Sequence, residues 1–485
     1  MESKSPAGLE RSGCVESRGL PVRPLDSLHC ETGKVVRISA NPEEFRYEEA
    51  LSGDCIRLLL IEAGSGNHEI RCRLTVESLY KQHTYMALSY VWGDASARQD
   101  IICNGASLSI TKNLYELLWR LREDGQTHQP VWADAVCISQ ANTTEKTEQI
   151  RVMRTIYEQA SLVLAWLGNP EEEEENKMGF EVLKSIYSRF GSSVTIEDLS
   201  QPHFDNVADL GLPVPVGGER SAEWKALVSI LYRPYFFRAW IVQEILVGRR
   251  CIVQCGTQQV AREAILSIGI LWEKFPYIKD MIVRHCPVVM EDGYDGQEPS
   301  FYIDEFAKAF RGEGAIETEE TPVLPTLREL WVLAEILRRN NGQGLPIMQL
   351  LISTRSFQAT VPHDKIFALV SLSHDTPPGF IDYEKPIAQV QVELAQRCMQ
   401  MRPTWGPRLF SHIDMRHHSE DTPSWVPDWA SGGIAQVDLG TSYYKQDAAD
   451  NFVSNWEFPS PGVRKRLLGS PYEAPDRGEI REGAL

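Results

Sequence analysis

The sequence predicts an α/β protein in which a parallel sheet core with inserted loops is followed by a mainly helical C-terminal region. Between residues 85 and 168, apolar runs and helix-like segments follow the order strand, helix, strand, helix, strand. The runs 86–91 and 131–138 are bounded by polar residues and glycine, as buried strands of a parallel sheet are. Strands that alternate with helices of this length indicate βαβ units.

The length of the chain sets its domain organisation. A chain of 485 residues is too long for one ordinary hydrophobic core, so two or three domains are expected. We predict a leader at 1–54 that is either loosely ordered or draped on the next domain, and an α/β domain at 55–256, with an insertion near 169–223. A mainly helical region with a frayed tail is predicted at 257–485.

The composition excludes several classes of function. The formal net charge of -18 argues against general affinity for nucleic acid or anionic membranes. Ten scattered cysteines, without a CxxC pair or zinc spacing, predict free thiols and no metal site. An N-terminus without an apolar signal segment, and a chain without a long apolar run, predict a soluble cytoplasmic protein with no membrane span.

Two short β-like runs precede the core, at 56–62 and 70–76. The segment AGSGNH between them predicts a hairpin. Its Gly-Ser-Gly is not followed by the GK[ST] of a phosphate-binding loop, so a plain turn is the expectation. A further hairpin is expected at 101–110, before a helix with Thr111 as its N-cap and an end at Gly125.

Polar residues follow or interrupt the predicted core strands. Trp92 and Asp94 come after strand 86–91, and ligands of open parallel sheets bind beyond the carboxyl ends of the strands. Asp134 lies inside the predicted strand 131–138, where a carboxylate must either be paired or face a polar cleft. The sequence leaves both alternatives open, while Cys137 is expected to be a small buried filler.

The second half of the core continues the same pattern. Asn142 and Glu145 have the spacing of a capping box, and the helix after them precedes a third strand at 161–167. The acidic run 171–175 is typical of a solvated loop or a helix start. An inserted loop is predicted at 191–220.

A proline divides the segment that follows the insertion. Arg233-Pro234 separates two helices, and Trp240 and Glu244 share a face of the second because they are four positions apart. A fourth core strand is predicted at 251–254.

The C-terminal region is helical by pattern. Thr326 and Glu329 predict a capping box for a helix that runs to Arg339. Pro386 opens another helix, through Met399.

Five segments have sequences specific enough to compare with known families. They are ALSYVWG (87–93), WADAVCISQ (132–140), RPYFFRAWIVQE (233–244), VPHDKIFAL (361–369) and SWVPDW (424–429). In this order and spacing they resemble the heterokaryon incompatibility (HET) domain of filamentous fungi, over roughly residues 55–430. Two positions depart from the family: Ala133 stands where isoleucine is more frequent, and Ser139 where asparagine is usual.

The resemblance implies a role in fungal nonself recognition, a form of innate immunity, and in programmed cell death. HET domains are in turn similar to TIR domains, which have a flavodoxin-like fold and of which some cleave NAD⁺. The resemblance thus implies a TIR/flavodoxin-like core, NAD⁺ as a candidate substrate and no tightly bound cofactor. It also implies protein partners in incompatibility signalling and, as TIR-like signalling involves assembly, a candidate homo-oligomer.

The resemblance also suggests a site. The W-x-x-x-E-like pattern of NAD⁺-cleaving TIR domains falls on Trp240 and Glu244, which makes Glu244 the candidate catalytic carboxylate. Cleavage of the nicotinamide–ribose bond develops oxocarbenium charge, which one carboxylate can stabilise. Arg238 would bind a phosphate, and Trp92 or Trp240 would stack on a ring. The residues assigned to substrate binding are Ser89, Trp92, Asp94, Asp134, Arg238 and Trp240.

A structural alternative exists for each of these residues. Arg238 could form an ion pair with Glu244 or Asp134, and Trp240 could belong to the core. The chain would then be an interaction module without catalysis, and a flavodoxin-like redox protein is a weaker third hypothesis. Glu244 in an open cleft lined by Trp92 and Asp94 favours the enzyme. Glu244 buried in an ion pair, with no cleft, favours the module.

Overall fold

The part of the chain that can be described begins at Glu43. The computed structural model describes residues 43–48, 50–51, 54–66, 68–80, 84–188, 221–274, 278, 281–282, 323–401 and 421–430. Three predicted segments lie outside these residues: most of the leader, the inserted loop at 191–220 and the C-terminal tail.

Nine strands of the described chain form one mixed sheet, in the spatial order β5-β4-β2-β1-β6-β3-β7-β8-β9. The strands are β1 (Cys55–Ile61), β2 (Arg71–Ser78), β3 (Met86–Tyr90), β4 (Arg98–Cys103), β5 (Ala106–Thr111), β6 (Val131–Trp132), β7 (Leu162–Trp166), β8 (Cys251–Cys255) and β9 (Gln258–Ala261).

The centre of the sheet is parallel. Strand β3 pairs in parallel with β6 on one side and β7 on the other, and β8 pairs in parallel with β7. Numbered along the chain, these four strands follow the spatial order 2-1-3-4, which is that of flavodoxin-like sheets. The predicted fold class is confirmed. In this order, ligands bind at the carboxyl ends of β3 and β7, where the chain connections diverge.

Helices flank the sheet and make up the described C-terminal region. They are α1 (Lys112–Glu123), α2 (Asp134–Cys137), α3 (Thr143–Gln159), α4 (Glu173–Ile186), α5 (Ala222–Leu231), α6 (Ile241–Val247), α7 (Arg262–Lys274), α8 (Val323–Arg339), α9 (Ile347–Ser353), α10 (Asp364–Val370) and α11 (Ile387–Met401). Of these, α4 lies within the predicted insertion at 169–223, and its acidic first turn confirms the helix start expected from 171–175.

Both predicted hairpins are present. Strands β1 and β2 pair antiparallel, as do β4 and β5. The second hairpin turns at Asn104 and Gly105, which have φ of 51° and 85°. Asn-Gly suits a two-residue hairpin turn because both positions need positive φ. Helix α1 follows directly and buries Leu114, Leu117, Leu118 and Leu121, and Gly125, with φ of 70°, comes just after its end.

The predicted strand at 131–138 is wrong beyond its second residue. Strand β6 ends at Trp132, and the chain then turns into the short helix α2, in which the Val136 and Cys137 amides donate to the carbonyl of Ala133. The turn places Asp134 in the half-buried first turn of a helix. An unpaired carboxylate buried within the sheet would cost free energy of folding, and the turn avoids this arrangement. Cys137 is buried, as expected.

The capping predictions succeed in part. Asn142 caps α3, because its Oδ1 accepts a hydrogen bond of 3.1 Å from the amide of Glu145. Glu145 does not complete the box, since its carboxylate binds elsewhere. The N-cap at Thr326 is wrong, because α8 already begins at Val323. Pro325 then falls in the first turn of α8. Backbone N–H groups in a first turn have no acceptor within the helix, so proline, which lacks this group, loses no helical hydrogen bond there.

The C-terminal helices share the hydrophobic core of the sheet. Residues on both sides of the predicted boundary at 256 belong to one compact unit that begins at Glu43. The described residues of the predicted leader, 43–48 and 50–51, contact the sheet domain: the Phe45 amide donates to the carbonyl of Ser107 and the Leu51 amide to the carboxylate of Glu145. No described helix is both long enough and apolar enough to cross a membrane.

Helices α7 and α8 cross at Gly269, and we expect Gly269→Ala to lower the free energy of unfolding by about 1–3 kcal/mol. A Cβ atom there would lie 2.2 Å from the Arg328 nitrogen and 2.3 Å from the Leu327 carbonyl carbon. Because these are backbone atoms, the helices would have to separate. Urea denaturation followed by tryptophan fluorescence measures the loss. Gly379→Ala is the control, since nothing lies within 4 Å of its added Cβ, and equal stabilities of the two variants would contradict the prediction.

Candidate functional site

A cluster of polar side chains is buried at the carboxyl end of β3. Ser89, the fourth residue of this strand, is 1% exposed. Its hydroxyl donates a short hydrogen bond to Oε2 of Glu244 and lies 2.6 Å from the hydroxyl of Tyr235. The cluster therefore occupies the edge of the sheet at which a flavodoxin-like fold binds its ligands.

The proline break after α5 brings Tyr235 and Glu244 to this edge. Helix α5 ends at Leu231, and Pro234 opens a 3-10 turn, Pro234–Phe237, as the sequence predicts. The chain then enters α6, which packs against β3, β7 and α3. Glu244 lies in the first turn of α6, and its amide donates to the carbonyl of Trp240.

Arg238 lies between the buried carboxylate and the surface. Its Nη1 donates a 2.6 Å hydrogen bond to the carbonyl of Tyr90 and lies 3.8 Å from Oε2 of Glu244. The Arg238 side chain is 21% exposed, whereas that of Glu244 is 3% exposed. The guanidinium is thus the member of this pair that an anionic ligand could reach.

The environment of Glu244 does not fully stabilise its charge. Burial raises its pKa to about 7, although the charge of Arg238 and the hydrogen bond from Ser89 act in the opposite direction. The nearby charge of Asp134 raises the pKa further. Both Ser89 and Arg238 contact Oε2, and among the described residues none donates a hydrogen bond to Oε1.

Trp92 and Asp134 form a second pair next to this cluster. The indole Nε1 donates a 2.9 Å hydrogen bond to Oδ2 of Asp134, and the Trp92 side chain is partly exposed. Tyr90 is buried, which raises the pKa of its hydroxyl, and the Asp134 charge raises that pKa further. Asp134 is therefore paired, and it links the exposed Trp92 to the buried residues.

Asp94 is held within its own loop. Its carboxylate accepts hydrogen bonds from the amide and the hydroxyl of Ser96, at 2.7–2.8 Å, and the residue is exposed. Trp240 is half-buried, stands at the N-cap position of α6 and packs against the hydrophobic core. The structure thus brings Ser89, Arg238 and Glu244 into contact, and gives Asp94 and Trp240 other partners.

Two tyrosines of the cluster were not predicted from the sequence. The Tyr157 hydroxyl, on α3, donates to the carbonyl of Leu88 at 3.0 Å. Burial raises the pKa of Tyr157 and Tyr235 well above the ordinary range, and the charge of Glu244 adds to both shifts. Each lies in an apolar run that is typical of core. The sequence feature that could have indicated the cluster is the hydroxyl of each tyrosine, because a buried tyrosine needs a hydrogen-bond partner.

Comparison with known proteins gives a consistent assignment. Residues 85–244 match the family model described as "Heterokaryon incompatibility protein (HET)". Over 433 residues the chain is 24% identical to heterokaryon incompatibility protein 6, OR allele, of Neurospora crassa, an alignment that covers 79% of this chain and 58% of that protein. The chain thus spans less than two thirds of the relative's length, and no solved structure matches it. The family match ends at Glu244, the carboxylate of the buried cluster, so the part of this chain that is similar to the heterokaryon incompatibility (HET) family includes the whole cluster.

Proposed function

We propose that the chain acts in heterokaryon incompatibility, as an effector or regulator of programmed cell death that cleaves NAD⁺ with Glu244 as the catalytic carboxylate. The match to the HET family and the likeness to an incompatibility protein support the biological role. Support for the chemistry comes from the buried cluster and from the resemblance of its W-x-x-x-E pattern to NAD⁺-cleaving TIR domains.

The observation that carries the catalytic proposal is the state of Glu244. A structural glutamate in this fold is found at Glu145, whose carboxylate binds Arg57 and two backbone amides. Burial opposes ionisation there too, but these bonds prevail and the pKa of Glu145 is lowered. Glu244 is the reverse case, with a raised pKa and an oxygen, Oε1, that accepts no hydrogen bond from the described residues. Perturbed groups of this kind are characteristic of functional sites.

The proposed reaction uses the residues of the cluster in separate roles. The nicotinamide–ribose bond breaks, its electron pair leaves with nicotinamide, and positive charge develops on the ribose ring. The ionised Glu244 stabilises that charge until water adds to the ribose carbon and releases a proton. Arg238 would bind a phosphate through its exposed edge, and the partly exposed Trp92 would offer a ring for stacking.

One observation favours the second candidate, an interaction module without catalysis. Glu244 is 3% exposed and lies within ion-pair distance of Arg238, as a purely structural residue would. In this hypothesis the HET domain signals by assembly with itself or with protein partners. The cluster would then stabilise the surface that assembles, and the ionisable carboxyl would have no chemical role.

Glu244→Gln is expected to lower NAD⁺ cleavage at least about 100-fold, because an amide keeps the shape of the side chain but cannot stabilise the developing charge. Wild type and variant would be expressed from an inducible promoter in a eukaryotic host. Cellular NAD⁺, released nicotinamide and survival would be followed in the same cultures. Glu263→Gln is the matched control, since Glu263 is half-exposed and pairs with Arg262 on α7.

The two hypotheses separate in this experiment. NAD⁺ loss and death with wild type and Glu263→Gln, and neither with Glu244→Gln at equal soluble protein, support the enzyme. Death with all three chains while NAD⁺ stays constant would rule out catalysis by Glu244. That outcome would support the assembly module.

A further inference from the structure

The backbone around Arg238 is held by a segment far outside the family match. The amide of Gln358 donates a 2.5 Å hydrogen bond to the carbonyl of Phe237, and the amide of Ala239 donates a 2.7 Å hydrogen bond to the carbonyl of Gln358. These two bonds form a parallel bridge between Arg238 and Gln358. Because they flank Arg238 on both sides, they fix the backbone from which its guanidinium extends.

A buried lysine holds this segment from behind. Lys365, on α10, is 7% exposed, and its Nζ donates hydrogen bonds to the carbonyls of Arg355 and Phe357. In the described part of the chain no carboxylate pairs with it. A buried ammonium without a counter-charge is costly. The two carbonyls that it binds lie three positions and one position before Gln358, so Lys365 fixes the loop that pairs with Arg238.

A second contact reaches α6 itself. The Ser371 hydroxyl donates to Oε1 of Gln243, the neighbour of Glu244 in the chain, and Gln243 is 1% exposed. The carbonyl of Ser371 accepts a 2.9 Å hydrogen bond from Nη1 of Arg154 on α3. Ser371 is thereby fixed against the helix layer on which α6 packs.

We propose that residues 355–371 position the pair Arg238 and Glu244, with Lys365 and Ser371 as the positioning residues. The site within residues 85–244, the part that matches the HET model, would then depend on residues 355–371 for the geometry of Arg238 and Glu244. The consequence for catalysis rests on the proposed function. The positioning itself does not, because it concerns the backbone of residues 237–243.

Hydrogen exchange on the full chain tests the positioning directly. In Lys365→Met the side chain keeps its approximate length but donates no hydrogen bond. We expect amide exchange to become about tenfold faster or more at 355–358 and also at 237–239. Lys385→Met is the matched control, because Lys385 is partly exposed and pairs with Glu393. It should leave exchange at 237–239 unchanged.

Ser371→Ala is a second variant that tests the proposal even if Lys365→Met does not fold. It removes only a half-buried hydroxyl, and we expect faster exchange at residues 241–244. Faster exchange confined to 355–358 in Lys365→Met, or unchanged exchange at 241–244 in Ser371→Ala, would overturn the proposal. If exchange is faster at both places while the wild-type protein does not cleave NAD⁺, the positioning is supported and the proposed catalysis by Glu244 is refuted.

The pH profile of NAD⁺ cleavage gives a readout that a merely structural role would not change. Glu244 is faced by Arg238, Asp134, Tyr235, Tyr157 and Cys251, and Arg238 is the group whose charge holds its pKa down. If Lys365→Met displaces Arg238, the pKa of Glu244 should rise, and the midpoint of the profile should move to a higher pH than in the wild type. A reduced rate with an unchanged midpoint would contradict positioning through Arg238.

Discussion

Glu145→Gln is expected to lower the free energy of unfolding at pH 7 by about 3–5 kcal/mol, since it removes the charged partner of the buried Arg57 guanidinium from this ion pair. The two side chains are 1% and 4% exposed, and Nη1 of Arg57 lies 2.5 Å from Oε1 of Glu145. The same carboxylate accepts the amides of Ser139 and Leu51. One residue thus joins α3 to β1, to the chain after α2 and to the segment at 43–51.

The matched control lies on the same helix. Glu148 pairs with Arg151 at 2.6 Å, but its side chain is 48% exposed, so Glu148→Gln should change stability by less than about 1 kcal/mol. Urea denaturation of both variants measures the difference. Equal losses in the two variants would mean that the buried pair contributes no more than a surface pair. Because the pKa of Glu145 is lowered, its contribution to the free energy of unfolding should be complete above the ordinary pKa of a glutamate. This contribution should be lost only as the pH falls through the lowered pKa.

The parallel core could be predicted because the sequence marks both ends of its strands. Strands β3, β7 and β8 are short apolar runs that end at polar residues or glycine, and their helices have an apolar stripe at the helical period. Strand β6 shows the limit of this reasoning. Its apolar pattern continues through Val136 and Ile138, and the turn at Asp134 depends on the cost of burying a carboxylate, which hydrophobic periodicity does not record.

The candidate site was predictable only in its chemistry. Glu244 and Arg238 follow from a motif, but the contact of Ser89 with Glu244 joins residues 155 positions apart. Asp94 was assigned to the site from its place after a strand, yet the hydrogen bonds of Ser96 two residues away hold it in its loop. The bridge between Arg238 and Gln358 consists of backbone bonds, and these leave no side-chain pattern in the sequence.

Glu244→Gln is expected to affect stability in the opposite sense to Glu145→Gln. The folded pKa of Glu244 is raised from 4.5 to about 7. Between these values the unfolded chain releases the proton while the folded chain keeps it, so the unfolded state binds fewer protons and stability falls as pH rises. Relative to Glu244→Gln, the wild type should lose about 3 kcal/mol between pH 4.5 and pH 8.

Urea denaturation of the two chains at a series of pH values measures this difference, in which the titration of all other groups largely cancels. Glu145→Gln, treated in the same way, should give a difference of the opposite slope, confined to lower pH. A purely structural Glu244, stabilised as an ion pair, would instead make the wild type the more stable chain at pH 8. A carboxylate that costs stability when ionised, at the edge of the sheet where ligands bind, is consistent with a residue retained for chemistry.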